Sequence, residues 1–416
     1  MLVGPHGLRW LLVAVAATEL FASVGGISGG MGSSATALRR RARGHGKELD
    51  AFARLTPPTI LFISSPLERK VSYILLSVPG SVDGVLRPLV DSGLGGPRGL
   101  AYDPGRSALY VADPALRRVL HFHIRVQRCL GEDCFEAVVE GVPIVVIEGV
   151  LSDWVAVDEA GNLFFTDQES KSISRLASSA IRELVGGSIE ASALRRVSEQ
   201  QVEALSAMAA STELAREADA PRGTGLQPGS SHEDPYKDTI TSLFEAGRNP
   251  HVGVPAGVLA DSTGVYWANQ AEGVEHGTIA AGAVALDEPA GDAVASSSAV
   301  LSNKTDAAYG IAGTFSMILF SAQQQFVYGV RRMGGPATML ADNLHTPRGI
   351  AWDGGSTAYV ADAGGDAVYA LPCGHHGGSR PLRRIVSFHS PFGLAMVKGT
   401  DPVFVAALGS GAGARH

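Results

Sequence analysis

The chain of 416 residues is 45% hydrophobic and 18% charged, which is enough apolar material to exclude wholesale disorder. Its formal charge of -7 argues against nucleic acid as the main partner, because such surfaces are basic. Gly, at 51 residues, recurs between short apolar runs, the composition of a turn-rich β protein, and three Cys are too few for a disulfide scaffold.

Residues 1–25 read as a targeting segment. Arg9 precedes the apolar run Trp10 to Ala17, and small residues follow at Ala22, Ser23, Gly25 and Gly26. Glu19 interrupts the run, which is short against the ~20 residues of a membrane span. A cleaved signal peptide is the first reading and an uncleaved signal anchor the second. Residues 26–56 form a Gly-rich, basic linker containing Arg39-Arg40-Arg41-Ala42-Arg43; its sharper reading is a processing site or the second part of an organelle-targeting leader.

Internal repetition organises the rest. Gly96 to Asp103 (GPRGLAYD) returns as Thr346 to Asp353 (TPRGIAWD), and Leu109 to Asp113 (LYVAD) returns as Ala358 to Asp362 (AYVAD). Weaker copies are Trp154 to Asp158 with Leu163 to Asp167, Ala256 to Asp261 with Val265 to Asn269, Tyr309 to Gly313 with Ile318 to Ala322, and Pro391 to Val397 with Val403 to Ala406. Each unit reads as four short strands, the third like Arg118 to Phe122 and the fourth like Leu86 to Val90. A period of roughly 40–55 residues with four strands per unit is the signature of a β-propeller. A single blade cannot bury both faces, whereas a closed ring buries them in turn and leaves only short edges. Six copies of the first and fourth strands predict an all-β, six-bladed propeller over residues 57–408, with a disordered tail at 409–416.

The ends of the repeat region predict how the ring closes. Leu61 to Ile74 aligns without gaps on Leu109 to Phe122, so the chain enters at a second strand. The C-terminal unit supplies the missing first strand, Gly393 to Val397, and the closing blade is a composite of both ends. One second-type strand is then in excess, either Ile60 to Ile63 or Val403 to Ala406. Residues 177–238 break the β pattern. Ile181 to Ala218 carries apolar residues near helical spacing, predicting one or two amphipathic helices in a surface insertion, or a lid over one face.

Several residues invite a chemical reading. Asp103, Asp113, Asp158, Asp167, Asp261, Asp353 and Asp362 recur at strand ends, with Asn269 in one such slot. A hydrolase would aim some of them at a central Ca²⁺. Recurrence at the same strand end in unit after unit points instead to carboxylates that accept backbone N–H groups and fix turns. His121 and His123 alternate on one strand, and Cys373 with His375 and His376 is a poor Zn²⁺ set without a fourth ligand. No nucleophile elbow, P-loop or dinucleotide fingerprint is present. Cys129 and Cys134 flank a turn-forming LGED segment and are expected to pair across a hairpin, leaving Cys373 odd. Asn303-Lys304-Thr305 is a glycosylation sequon expected in a loop. Arg98 and Arg348 share one slot in a Pro-Arg-Gly context and are candidates to line the mouth of the ring.

The repeats resemble the NHL-repeat propellers, whose units carry a GIAVD-type strand followed by a YVAD-type strand; Val265 to Asn269 (VYWAN) looks more like the YWTD-type unit of receptor propellers. The resemblance implies a six-bladed ring and leaves the activity open, since gluconolactonase-like and strictosidine-synthase-like hydrolases are related rings. The Glu-Gly-Pro run of the gluconolactonase-like metal site is missing, and Glu140-Gly141-Val142-Pro143 lies in the wrong strand to replace it. The expectation is therefore a binding propeller of the secretory pathway or extracellular space, without a cofactor. It would take a protein, peptide or small ligand at one mouth, and touch a membrane only through an uncleaved leader. The alternatives are a Ca²⁺-dependent lactonase or esterase and a membrane-tethered lumenal propeller.

Overall fold

A computed structural model describes residues 58–76, 84–129, 135–187, 240–270, 277–283, 297–305, 307–322, 325–373 and 381–404. The leader, the linker, the tail, Cys134, His375, His376 and most of the insertion lie outside the described residues. The chain is all-β apart from a few short helical stretches, and it builds six four-stranded antiparallel sheets around an axis. In chain order β1 (Thr59–Ser65), β2 (Lys70–Leu76) and β3 (Arg87–Val90) come first. Blade 2 is β4 (Leu100–Asp103), β5 (Ala108–Asp113), β6 (Arg118–Arg128) and β7 (Phe135–Glu148). Blade 3 is β8 (Val155–Val157), β9 (Leu163–Asp167), β10 (Ser172–Leu176) and β11 (Ile240–Glu245). Blade 4 is β12 (Val254–Asp261), β13 (Gly264–Gln270), β14 (Gly277–Gly282) and β15 (Ser298–Thr305). Blade 5 is β16 (Ala308–Gly313), β17 (Met317–Ala322), β18 (Phe326–Arg331) and β19 (Thr338–Ala341). Blade 6 is β20 (Pro347–Trp352), β21 (Thr357–Asp362), β22 (Ala367–Pro372) and β23 (Arg383–Ser387). Last, β24 (Leu394–Val397) pairs with β1 and completes blade 1 as its innermost strand.

The apolar patterning follows from this geometry. A second strand lies between two neighbouring blades, so both of its faces are buried and its sequence is almost continuously apolar. In β1 the period of two sorts residues between partners. Ile60 and Phe62 pack into the cluster shared with blade 2, and Leu61 and Ile63 into the one shared with blade 6. Six such clusters fill the six blade interfaces. Each fully buried side chain of this size contributes about 1.5–3 kcal/mol relative to exposure. Outer strands face solvent on one side, and β19 and β23 accordingly mix exposed and buried positions.

The structure decides the closing strand. Ile60 pairs with Val397 and Ile63 with Leu394, so Ile60 to Ile63 is the true second strand of blade 1. Val403 to Ala406 is not a strand: residues 402–404 are helical, and 405–406 lie outside the described residues. Pro402 follows Asp401, whose carbonyl accepts the Phe404 N–H and whose carboxylate accepts the Lys398 N–H, chemistry that suits a turn entering a helix. Val403 and Phe404 are buried all the same. They pack on blades 1 and 2, with the Phe404 ring 5.5 Å from that of Phe135 on the long β6–β7 hairpin.

Innermost strands all begin on one side of the ring, here termed the upper face, and end on the lower face. Third strands run in the same sense, so Leu176 ends β10 at the lower face, where residues 178–187 form a helix. Ala180, Ile181 and Leu184 of this helix pack between blades 2 and 3. Both described ends of the insertion, Gly187 and Ile240, therefore leave and rejoin blade 3 on its lower side. The helix begins three residues before the expected Ile181, and the remainder of the helical segment lies outside the described residues.

Candidate functional site

One position organises the upper mouth. The first residue of each inner run is Gly in five blades: Gly99, Gly257, Gly310, Gly349 and Gly393. A Cβ there would collide with the backbone of the next blade, 2.1 Å from the Arg98 carbonyl at Gly393 and 2.4 Å from the Phe392 carbonyl at Gly349. The blades thus touch backbone to backbone around the axis. Hydroxyls bridge some of these contacts: Ser321 accepts the Gly310 N–H and donates to the Arg348 carbonyl at 2.7 Å. Ser64 does the same between Gly393 and Arg98, and Thr166 donates to the Ala256 carbonyl.

The residues before these slots, from blade 1 to blade 6, are Phe392, Arg98, Asp153, Ala256, Tyr309 and Arg348; Arg98, Tyr309 and Arg348 are partly exposed and the other three are buried. Arg98 Nη1 donates to Asp153 Oδ2 at 2.5 Å, and Gln168 Nε2 donates to the same oxygen at 2.8 Å. The Arg98 guanidinium also lies over the Phe392 ring at 5.4 Å. Arg348 lies over Tyr309 at 4.0 Å. Asp153 is 4% exposed; burial pushes its carboxyl up, and Arg98 and Gln168 pull it back down.

Blade 3 breaks the glycine pattern with Trp154. Its indole lies 5.3 Å from the Phe392 ring and would stand 3.0 Å from a Cβ at Gly310 in blade 5, so it reaches across the axis. Its Nε1–H is buried and has no partner among the described residues.

The repeated acids lie at the two ends of the strands. At the lower face, Asp103 accepts the Gly105 N–H, Asp158 that of Asn162, Asp261 that of Thr263 and Asp353 that of Gly355. At the upper face, Asp113 accepts from Gly95 and Gly96, Asp167 from Leu151, and Asp362 from His345 and Thr346. Asn269 occupies the same upper position and accepts the Gly253 N–H. Each upper acid pins the loop that leads into its own blade.

Among the described residues no group of three or more His, Cys, Asp or Glu is placed to hold a metal ion. The mouth itself suits Ca²⁺ poorly. That ion takes six to eight oxygens, whereas two guanidiniums face one carboxylate here and that carboxylate is already engaged. Glu140 to Pro143 lie in the outermost strand β7, away from the axis. Asn303 is not in a loop but within β15, also outermost, with its side chain exposed.

His121, 4% exposed, sits edge-on to Tyr110 on the flank of blade 2, whereas His123 is exposed beside Glu140. Burial pulls the His121 pKa down to about 4, and the charges of His123 and Arg106 act in the same direction. The unfolded chain therefore binds the extra proton between pH 6.5 and about 4, and this stability is lost as pH falls through that window. Full loss corresponds to about 3 kcal/mol. His121→Phe is expected to flatten the decline of Tm from pH 6.5 to 4; an unchanged slope would contradict this.

Sequence reasoning missed Trp154, Asp153, Gln168, Tyr309 and Phe392. The signal for Trp154 was its place in the glycine slot, and the signal for the others was their place just before that slot or across from it.

No protein-family model matches the chain. No curated protein matches it in sequence. Solved structures do. A chain in the nidogen/laminin complex aligns at 14% identity over 82% of this chain and 99% of its own, with a TM-score of 0.51. A gluconolactonase from Xanthomonas campestris aligns at 12% identity over 81% and 87%, with a TM-score of 0.41. A regucalcin described as a calcium-binding protein, from Agrobacterium tumefaciens, aligns at 12% identity over 73% and 79%, with a TM-score of 0.39. At such identities the likeness concerns the fold alone, and strand order, register and the alignment with the nidogen/laminin chain agree that the chain is a six-bladed β-propeller.

Proposed function

We propose that the protein is a non-catalytic binding propeller that takes its partner, a protein or peptide segment, at the upper mouth. The observation that carries this reading is the unlike set of side chains converging there, cationic in balance, while the repeated acids that a hydrolase would need accept backbone N–H groups. Arg98, Arg348 and Tyr309, each partly exposed on a rigid frame, are residue types that protein recognition favours. The test pairs two assays on leader-free protein. Peptides selected by display should perturb the Trp154 indole signal, and lactones and aryl esters should show no EDTA-sensitive turnover. Stoichiometric tight Ca²⁺ with EDTA-sensitive turnover would replace the binding reading with the hydrolase one.

We also propose export through the secretory pathway. The side chain of Asn303 is open to solvent on β15. Arg128 pairs with Phe135 at the last described rung of the β6–β7 hairpin, and in the sequence Cys129 and Cys134 flank the four residues that follow, which is the basis for proposing that they pair. A disulfide there leaves one titratable thiol per chain in the denatured, unreduced protein; finding three would refute the pairing.

A further inference from the structure

Arg98 and Arg348 share the same sequence context but not the same surroundings. A guanidinium carries five N–H donors and accepts nothing. Arg98 directs its donors at Asp153, which Gln168 also braces. Arg348 forms no ion pair among the described residues, and its hydrogen bond there is a long one, 3.4 Å from Nη1 to the carbonyl of Pro347. It is nevertheless half-buried. Burial pulls its pKa below the ordinary value, Arg98 pulls the same way, and Tyr309 and Asp153 oppose. The Tyr309 ring supports the guanidinium from one side.

Trp154 lies close enough to Arg348 to report on it. Its buried Nε1–H has no partner among the described residues, and its ring edge lies against Gly310, which packs on the Arg348 carbonyl. The half-buried Arg348 guanidinium, with donors left over, carries a desolvation cost that a ligand's acceptors would relieve. Two arginines and one aspartate leave the mouth one positive charge in excess, which matches a monoanion better than a dianion. A carboxylate fits: it is acceptor-only, carries a single charge and engages a guanidinium through two oxygens.

We infer that Arg348, supported by Tyr309, anchors a single carboxylate of the bound ligand, while Arg98 stays with Asp153 and shapes the mouth. This rests on the upper mouth being the binding face.

Titrating the full chain with sodium acetate, against sodium chloride at equal ionic strength, tests the anchor directly when Arg348 Nε–H and Trp154 Nε1–H are followed by NMR. The expected result is a saturable, acetate-specific shift of the Arg348 signal with a Kd on the order of 1 mM. No acetate-specific shift would overturn the inference. Arg348→Gln should weaken the acetate response of Trp154 at least tenfold; if that variant does not fold, the unmodified protein still gives the answer through Arg348 itself. Three tripeptides then separate the sources: Ala-Glu-Ala with both ends capped, Ala-Gln-Ala with both ends capped, and Ala-Gln-Ala capped only at its N-terminus, with a free C-terminal carboxylate. The capped Gln peptide should bind at least tenfold more weakly than the tighter of the other two, which identifies a side-chain or a terminal carboxylate. Perturbation of Trp154 by all three alike, without a carboxylate-dependent shift at Arg348, would leave the binding face standing and remove the anchor.

Discussion

Gly393→Ala is expected to destabilise the protein by about 3 kcal/mol or more, at the upper end of overpacking costs. The added methyl would lie 2.1 Å from the Arg98 carbonyl oxygen and 3.0 Å from the Leu100 amide nitrogen. Neither atom can rotate away, because Arg98 is fixed by backbone bonds to Ala112 and Leu100 belongs to β4. The strain falls on the seam where the last strand meets blade 2. Gly186→Ala is the control of opposite sign. It lies in the helix over 178–187 with nothing within 4 Å of an added Cβ, and should stabilise by up to about 1 kcal/mol. Urea denaturation of both variants measures the contrast; equal effects would mean that inter-blade backbone contact does not limit this fold.

Phe404→Ala is expected to cost about 3–5 kcal/mol, the range for deleting a buried aromatic side chain. Phe404 is fully buried against Phe135 and belongs to the cluster holding Phe62, Tyr73 and Leu100. Tyr73 is tied to the same hairpin, since its hydroxyl accepts the Ala137 N–H. The helical turn after β24 thus helps hold the C-terminal strand in place, and the β6–β7 extension supplies the surface it grips. A variant within 1 kcal/mol of the parent by the same assay would show that closure relies on the β1–β24 ladder alone.

Much of this was legible in the sequence. The GLAYD and YVAD runs gave strand identity, blade number and the composite blade, because glycine spacing and continuous apolar runs are both imposed by packing near an axis. The choice between Ile60 to Ile63 and Val403 to Ala406 was not legible from hydrophobicity, since burial in a helical turn and burial in a strand select the same residues. Asp401-Pro402 held the local signal. Arg98 and Arg348 were legible as a pair but not as unequal members. Their difference arises from the next blade in the ring, where Asp153 stands beside Arg98 and Phe392 follows Arg348, a relation that requires the ring order. Trp154 in a glycine slot was visible as an exception, but its reach across the axis depends on the ring's dimensions.

Hydrogen exchange on the intact chain and on a chain ending at Ser390 tests the closed ring most directly. The two-ended blade predicts that amides of Ile60 to Ile63 and Leu394 to Val397 rank among the slowest in the intact protein, and that truncation strips protection from Ile60 to Ile63. Equal protection of Ile60 to Ile63 in both chains would contradict it.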